Sequence, residues 1–266
     1  MENFNFIENI EIHNLPQIPG VYFFYNDKND LVYIGKSINI YKRVQQHFKG
    51  KDRKSIKIQN QVKYIRFEET GSELIALLHE SELIKIHKPI FNRAQRKTHL
   101  YYGLYLKNVD GYLGLHIQKI TDDKDVITTF SSLNEAKETL FKITEYYFLC
   151  QKINNLYQTN SACFGYQVKM CFGACVQKEK PELYNKRVMK FIENNVLEKF
   201  TKFFVLPGRN PKEIGIVYIE NGTYKGFGFC KARTRKENYI KHIQPKQDNK
   251  DARRILIRYI IQQKMT

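Results

Sequence analysis

The chain has 266 residues, with 44 Lys and Arg against 27 Asp and Glu, for a net charge of +17. Apolar residues make up 42% and aromatic residues 14%, which excludes a disordered chain and is enough for a core without disulfides. The charge calls for a polyanionic partner, nucleic acid or an anionic membrane. No apolar run approaches the roughly 18 residues of a spanning helix, and Met1–Glu8 has acids where an export signal needs an apolar stretch. The expectation is a cytoplasmic protein with no membrane part.

Pro19-Gly20 opens a hairpin of two β-rich runs, 21–25 and 31–35, around the polar loop 26–30. Asn39 precedes a helical pattern with Ile40, Tyr41, Val44 and Phe48 on one side; Arg43 and His47, four apart, share another. A third strand is predicted over 62–67. Thr70-Gly71-Ser72-Glu73 reads as a capping box, Thr70 as N-cap and Glu73 reaching back, and opens a helix from about Ser72 to His87 that ends before Pro89. Its apolar residues point in most directions, which predicts a well-buried helix.

A second hairpin, 101–106 with 113–120, turns at Asp110-Gly111, and a helix follows over about 133–148. After Pro181 a helix is predicted to about Phe203. A last unit starts at Pro207-Gly208, with a hairpin turning at Asn221-Gly222 and a basic helix over 250–263. The expected fold class is α+β, a small mixed sheet flanked by helices. The expected divisions are a compact domain at 1–97, a hairpin–helix connector at 98–149, a cysteine region at 150–203 and a small basic unit at 204–266. Lys36–Arg66 holds ten basic residues and one acid, Asp52.

Two constellations carry chemistry. Gly20-Val21-Tyr22, ten residues, then Tyr33-Ile34-Gly35 places two tyrosines and two glycines on one hairpin. Lys36 follows, then Arg43, His47, Glu80 and Asn92. Alone, Tyr22 and Tyr33 read as ordinary strand residues; together with a carboxylate and cations they suit phosphodiester hydrolysis. That reaction needs an activated water, charge neutralisation at phosphate and a Lewis acid on a hard carboxylate oxygen. Glu80 stands beside Leu77 and Ile84, an expensive place for an unpaired carboxylate.

The second constellation is Cys150, Cys163, Cys171 and Cys175. Four thiolates suit tetrahedral Zn2+ or an iron–sulfur cluster, and buried free thiols are the bland alternative. Cys230 stands apart.

The segments PGVYFF at 19–24, VYIGKSINIYKRVQQHF at 32–48, TGSELIALLHESELIKIHKPIFNRA at 70–94 and CFGYQVKMCFGACV at 163–176 resemble the GIY-YIG nuclease superfamily, and within it the UvrC and Cho endonucleases, over residues 15–190. The resemblance implies that Glu80 holds a divalent cation, Mg2+ or Mn2+, and that Tyr22 activates the attacking water. It implies that Tyr33 and Lys36 orient water and phosphate, that Arg43 steadies charge on the phosphate, and that Asn92 is structural. Gly35 is a backbone requirement of the site, and His47 falls where UvrC-like proteins often carry Tyr. It further implies a [4Fe–4S] cluster on Cys150, Cys163, Cys171 and Cys175, with Zn2+ the alternative.

No second nuclease domain and no tandem DNA-binding module is recognisable, so the resemblance permits one incision, on the 3′ side of a lesion. The expected partners are DNA and a damage-recognition complex of the excision-repair type. The expected function is thus a metal-dependent, structure-selective DNA endonuclease of nucleotide excision repair. The competing readings are a non-catalytic DNA-binding module and a mobile-element or restriction nuclease on the same catalytic unit.

Overall fold

The structure is a computed structural model that describes residues 12–93, 101–120, 126–195, 197 and 200–263. Residues 1–8, read above for an export signal, lie outside them. No described helix is long and apolar enough to cross a membrane. The chain forms two compact units, residues 1–98 with 200–255, and residues 99–199 with 256–266. The α+β class holds, with small sheets whose pairings are antiparallel throughout the described residues.

In the first unit, β1 (Gly20–Tyr25) is the central strand of a three-stranded sheet, between β2 (Leu31–Ser37) and β3 (Tyr64–Glu69). The β1–β2 loop folds on Asn26, whose Oδ1 accepts from the backbone of Lys28 and Asp30. Helix α1 (Ile40–Lys49) starts at Asn39, which caps the Lys42 N–H at 2.9 Å. A further helix, α2 (Arg53–Gln61), occupies a stretch the sequence reading left without an element. Its first turn is held by Asp52, which accepts from the backbone of Lys54 and Ser55. It has only Ser55 and Ile58 buried, so its apolar periodicity is faint.

Helix α3 (Glu73–His87) corrects the expected cap. Ser72, rather than Thr70, is the N-cap, accepting from Ile75 N, while Thr70 donates to Ser72 O. Gly71 turns the chain between them at φ +68°, where a Cβ would meet the Gly208 carbonyl at 2.0 Å. Glu73 does not reach back; it pairs with Lys36.

The all-round apolar character of α3 has a plain cause. One side packs Ile84 on Val21, Phe23 and Ile34 of the first sheet. Another side meets a four-stranded sheet ordered β10-β9-β8-β7, formed by β7 (Lys202–Pro207), β8 (Glu213–Glu220), β9 (Thr223–Lys231) and β10 (Ile243–Pro245). Gly215 of β8 lies against Ile75, His79 packs edge-on to Phe227 at 5.5 Å, and Lys246 pairs with Glu82 at 2.8 Å. Residues 202 and 203, expected to end a helix, therefore open a strand, and the helix after Pro181 stops at Asn195. The alternation of buried Phe204 and Leu206 with exposed Val205 has a period of two.

The second unit holds β4 (Tyr102–Val109), β5 (Tyr112–Lys119) and β6 (Val126–Phe130) in the order β5-β4-β6. It also holds α4 (Leu133–Tyr146) and α5 (Pro181–Asn195). β6, a Thr-bearing strand the sequence reading missed, pairs with β4. The C-terminal helix α6 (Lys250–Gln263) matches its expected bounds.

One side chain covers the edge of β2. Asn92, buried after α3, accepts from Ile34 N at 2.9 Å and donates to Ile34 O at 2.8 Å. Asn92→Ala leaves both backbone groups unpaired and should cost roughly 2–5 kcal/mol. Urea unfolding measures this; a loss under about 0.5 kcal/mol would mean that water replaces the amide.

Candidate functional site

Strand register assembles the site. Tyr22 lies opposite Gly35, and Phe24 opposite Tyr33, so these four share one face of the first sheet. Helix α1 packs on that face through Ile40 and Val44 and brings in His47. Tyr22 Oη lies 2.8 Å from His47 Nε2, both residues being buried. The Tyr33 and His47 rings are 5.3 Å apart, and those of Tyr22 and Tyr33 5.9 Å. Gly35 makes room for this packing: a Cβ there would stand 2.4 Å from both Tyr22 Oη and Cζ.

Glu80 joins from α3. Its Oε1 accepts from the backbone N–H of Lys36 at 3.0 Å, at the end of β2. No cation among the described residues pairs with this carboxylate. Lys36 itself turns its ammonium to Glu73, at 2.6 Å. Arg43 donates to the neutral Gln46 at 3.0 Å and, among the described residues, has no carboxylate partner. Asn92 is one step removed, bonded to the backbone just before Gly35. The structure therefore brings together Tyr22, Tyr33, Gly35, His47, Glu80 and the Lys36 backbone, with Asn92 behind them, while the Lys36 ammonium is directed elsewhere.

The sequence reading missed Lys54. From the first turn of α2 its Nζ stands 4.3 Å from the centroid of the Tyr33 ring. It also missed Gln59, which donates to His47 O at 2.9 Å and Gly50 O at 2.7 Å and so ties α2 to the end of α1. Asp52, standing before three residues of a polar turn, was the available signal for this helix.

Burial sets the electrostatics. It pushes Glu80 up to about 7, against the opposing pull of the Lys36 N–H, Lys36, Lys54 and Arg43. Some solvent reaches this side chain, but protein surrounds it on most sides. Burial, with help from Arg43 and Lys54, lowers His47 to about 4, so the ring is neutral near pH 7. Burial also raises Tyr22 and Tyr33, with Tyr33 acting next on Tyr22 and Glu80 next on Tyr33. Neither phenol ionises readily at rest. A half-buried carboxylate with a free oxygen, cations nearby and no ion-pair partner fits a single hard divalent cation that keeps part of its water shell.

The second unit gathers the four cysteines. Cys150 Sγ lies 3.7 Å from Cys163 Sγ, which lies 4.0 Å from Cys171 Sγ. The sulfurs of Cys150, Cys163 and Cys175 all lie within 4.8 Å of one another. A hydrogen bond to Cys171 first, and burial second, raise Cys150 above the ordinary thiol range. The scaffold is polar and buried. Asn154 donates to Cys150 O and Tyr184 Oη and accepts from Leu115 N of β5. Arg187 of α5, paired with Glu179, donates to the carbonyls of Tyr147 and Phe148 just before Cys150.

Residues 18–93 match the UvrC-like GIY-YIG domain, and residues 92–194 match the middle domain of the UvrC/Cho excinucleases. The chain is a UvrC/Cho-like GIY-YIG protein. The UvrABC system protein C of Mycoplasmoides gallisepticum is 31% identical over 206 residues, covering 72% of this chain and 33% of that protein. The excinuclease cho of Shigella flexneri is 31% identical over 187 residues, covering 68% of this chain and 62% of that protein. This UvrC/Cho-like chain thus spans about a third of that UvrC relative and about three fifths of that Cho relative. Among solved structures, the GIY-YIG N-terminal endonuclease domain of UvrC from Thermotoga maritima, bound to magnesium, is 28% identical. The match covers 31% of this chain and 91% of that domain, with a TM-score of 0.30. The two domain matches bear out the resemblance read from the motifs.

The shifts of Glu80 and His47 act oppositely on stability. Glu80, raised, binds a proton in the folded state that the unfolded chain has lost, so its contribution falls as pH rises from about 4.5 to about 7. His47, lowered, does the reverse between about 4 and 6.5, where stability rises with pH. The stability difference between Glu80→Gln and wild type, followed by urea unfolding in chelator, should therefore grow in favour of the variant from pH 4.5 to 7. A flat difference would place Glu80 in an ordinary solvated environment.

Proposed function

We propose that this chain is a metal-dependent, structure-selective DNA endonuclease that makes a single incision, on the 3′ side of a lesion, in nucleotide excision repair. The observation that carries this reading is the convergence of Tyr22, His47, Gly35 and Glu80 at one end of the β1–β2 hairpin. Both matched domains support it, as do UvrC and Cho relatives.

The residues divide the work as follows. Neutral His47 presents Nε2 to the Tyr22 hydroxyl, which donates to it. As the phenol oxygen takes a proton from the attacking water, its own proton passes to His47, so no free phenolate has to exist in this buried site. Tyr33 bounds the water position on one side. Arg43, its fork engaged among the described residues by Gln46 alone, exchanges that contact for phosphate oxygens. The Lys36 N–H orients the Glu80 carboxylate and leaves its second oxygen for Mg2+ or Mn2+. When bound, that ion supplies a Lewis acid at the phosphate.

We further propose that the four thiols hold a metal. A tetrahedral Zn2+ with bonds of about 2.3 Å separates its sulfurs by about 3.8 Å. The 3.7 and 4.0 Å separations match that edge, and Cys150, Cys163 and Cys175 lie within 4.8 Å of one another, while Cys171, outside that group, has to move closer to complete a four-sulfur site. A [4Fe–4S] cluster, which the resemblance implies, holds its thiolates at the corners of a larger tetrahedron and requires these four to spread apart. Elemental analysis of the purified protein decides between one zinc and about four iron per chain, with the visible iron–sulfur absorbance as a second readout. Neither metal at stoichiometric level would leave Cys150, Cys163, Cys171 and Cys175 as plain core thiols.

The decisive experiment is cleavage of an end-labelled duplex carrying one bulky adduct, with bubble and intact controls, in Mg2+ or Mn2+. One discrete cut 3′ to the adduct is expected, reduced on the order of 100-fold or more by Glu80→Gln. Equal cutting of intact DNA at one sequence would instead indicate a mobile-element or restriction nuclease. Binding that ignores Glu80→Gln, without cutting even beside a damage-recognition complex, would indicate a binding module.

A further inference from the structure

Three cations stand near the Tyr22–His47 pair, and their partners differ. Lys36 is held by Glu73, and Arg43 by the amide of Gln46. Lys54 has no carboxylate within ion-pair distance among the described residues, although Asp52 is only two positions away. The reason is local. Asp52 spends its carboxylate on the backbone of Lys54 and Ser55 and on the Ser55 hydroxyl, as the cap of α2. The Lys54 ammonium instead leans over the Tyr33 ring at 4.3 Å.

Lys54 is exposed as a residue, yet partial burial of its ammonium, ahead of the nearby Arg43, lowers its affinity for a proton. A long, flexible stem at an exposed position can carry its charge out to water. Here the ammonium stays over the Tyr33 ring instead, which returns only a modest cation–π attraction. Its field reaches His47 and Glu80. Nor is the placement an accident of a loose helix. Gln59 bonds two carbonyls, those of His47 and Gly50, and so holds α2 against the end of α1. Among the described residues neither Lys54 nor Arg43 has a carboxylate within ion-pair distance, and Glu80 and Asp52 act on Lys54 only from farther off.

We propose that Lys54 is a substrate-binding residue that grips a phosphate of the cut DNA strand, beside the scissile phosphate that Arg43 faces. The inference rests on the DNA-endonuclease reading above. An ammonium suits this role as a compact point charge, and the Tyr33 ring aims it. Residues on two helices then hold two phosphates of one strand, which fixes the strand's direction through the site.

The test uses the full chain and a nicked, end-labelled duplex. Binding is followed in chelator from about 50 to 200 mM salt for wild type, Lys54→Gln and Lys54→Arg. Losing one phosphate contact should make the slope of log affinity against log salt shallower by about 0.9 in Lys54→Gln, with Lys54→Arg keeping the wild-type slope. In Mg2+ or Mn2+, Lys54→Gln should lose kcat/KM chiefly through KM. An unchanged slope in Lys54→Gln, with an unchanged unfolding curve and wild-type cleavage intact, overturns the role of Lys54 and leaves the nuclease reading standing. A shallower slope in a protein that cuts no substrate keeps the Lys54 contact and overturns the nuclease reading. Wild type that binds no DNA overturns both.

Discussion

The missing side chain at Gly35 governs how everything around it can pack. The Tyr22 ring occupies the volume a Cβ would need, and only from that position does its hydroxyl meet His47. Cross-strand pairing of Tyr22 with Gly35 makes the contact a property of the register, since a slip of one residue would send Tyr22 to the opposite face, where Val21, Phe23 and Ile34 pack. Asn92 protects that register from outside by closing the free edge of β2 at Ile34. Helix α3 protects it from beneath. It is apolar nearly all round because it lies between two sheets, and it delivers Glu80 to the backbone of Lys36.

The electrostatics follow from the same packing. A carboxylate and an imidazole are both driven towards their neutral forms by burial, which leaves the site rich in positive charge and poor in committed anions. On the proposed reading that imbalance is the recognition device: a divalent ion restores the Glu80 charge, and DNA phosphates satisfy Arg43 and Lys54. The surplus of basic residues over 36–66 is thus resolved by structure into three kinds. Lys36 is paired with an acid, Arg43 and Lys54 are turned to the site, and others such as Lys51 and Lys57 are exposed.

The thiol unit is organised differently. Its four sulfurs come from three stretches of chain: Cys150 after α4, Cys163 at the start of the single helical turn 164–167, and Cys171 with Cys175, the last in the 3-10 turn Ala174–Val176. What brings them together is a set of hydrogen bonds: buried ones from Asn154 to Cys150 O and Tyr184 Oη, and more exposed ones from Arg187 to the carbonyls of Tyr147 and Phe148. Such a scaffold is costly to bury unless fully satisfied, and here it is anchored on β5 and α5.

Much of this was legible in the residues alone. The hairpin turns at Asp110 and Asn221, the bounds of α6, the β1–β2 hairpin itself, and the grouping of the cysteines follow from local turn chemistry, periodicity and spacing, which neighbouring residues decide among themselves; the register that sets Tyr22 opposite Gly35 came from the structure. Helix α2, strands β6 and β7, and the true cap of α3 were not legible. α2 buries too little to show a period, β6 is defined by its partner β4, and β7 is a strand because β8 lies beside it. The cap moved from Thr70 to Ser72 because Gly71 turns against the backbone of Gly208, more than a hundred residues away in the chain. The same limit hid the site's charge balance. Sequence determined which ionisable groups this protein carries near its tyrosines. Only the tertiary structure decided that Glu73 takes Lys36, that Asp52 is used up as a cap, and that Lys54 is left facing Tyr33, because pairing depends on distances that spacing along the chain does not set.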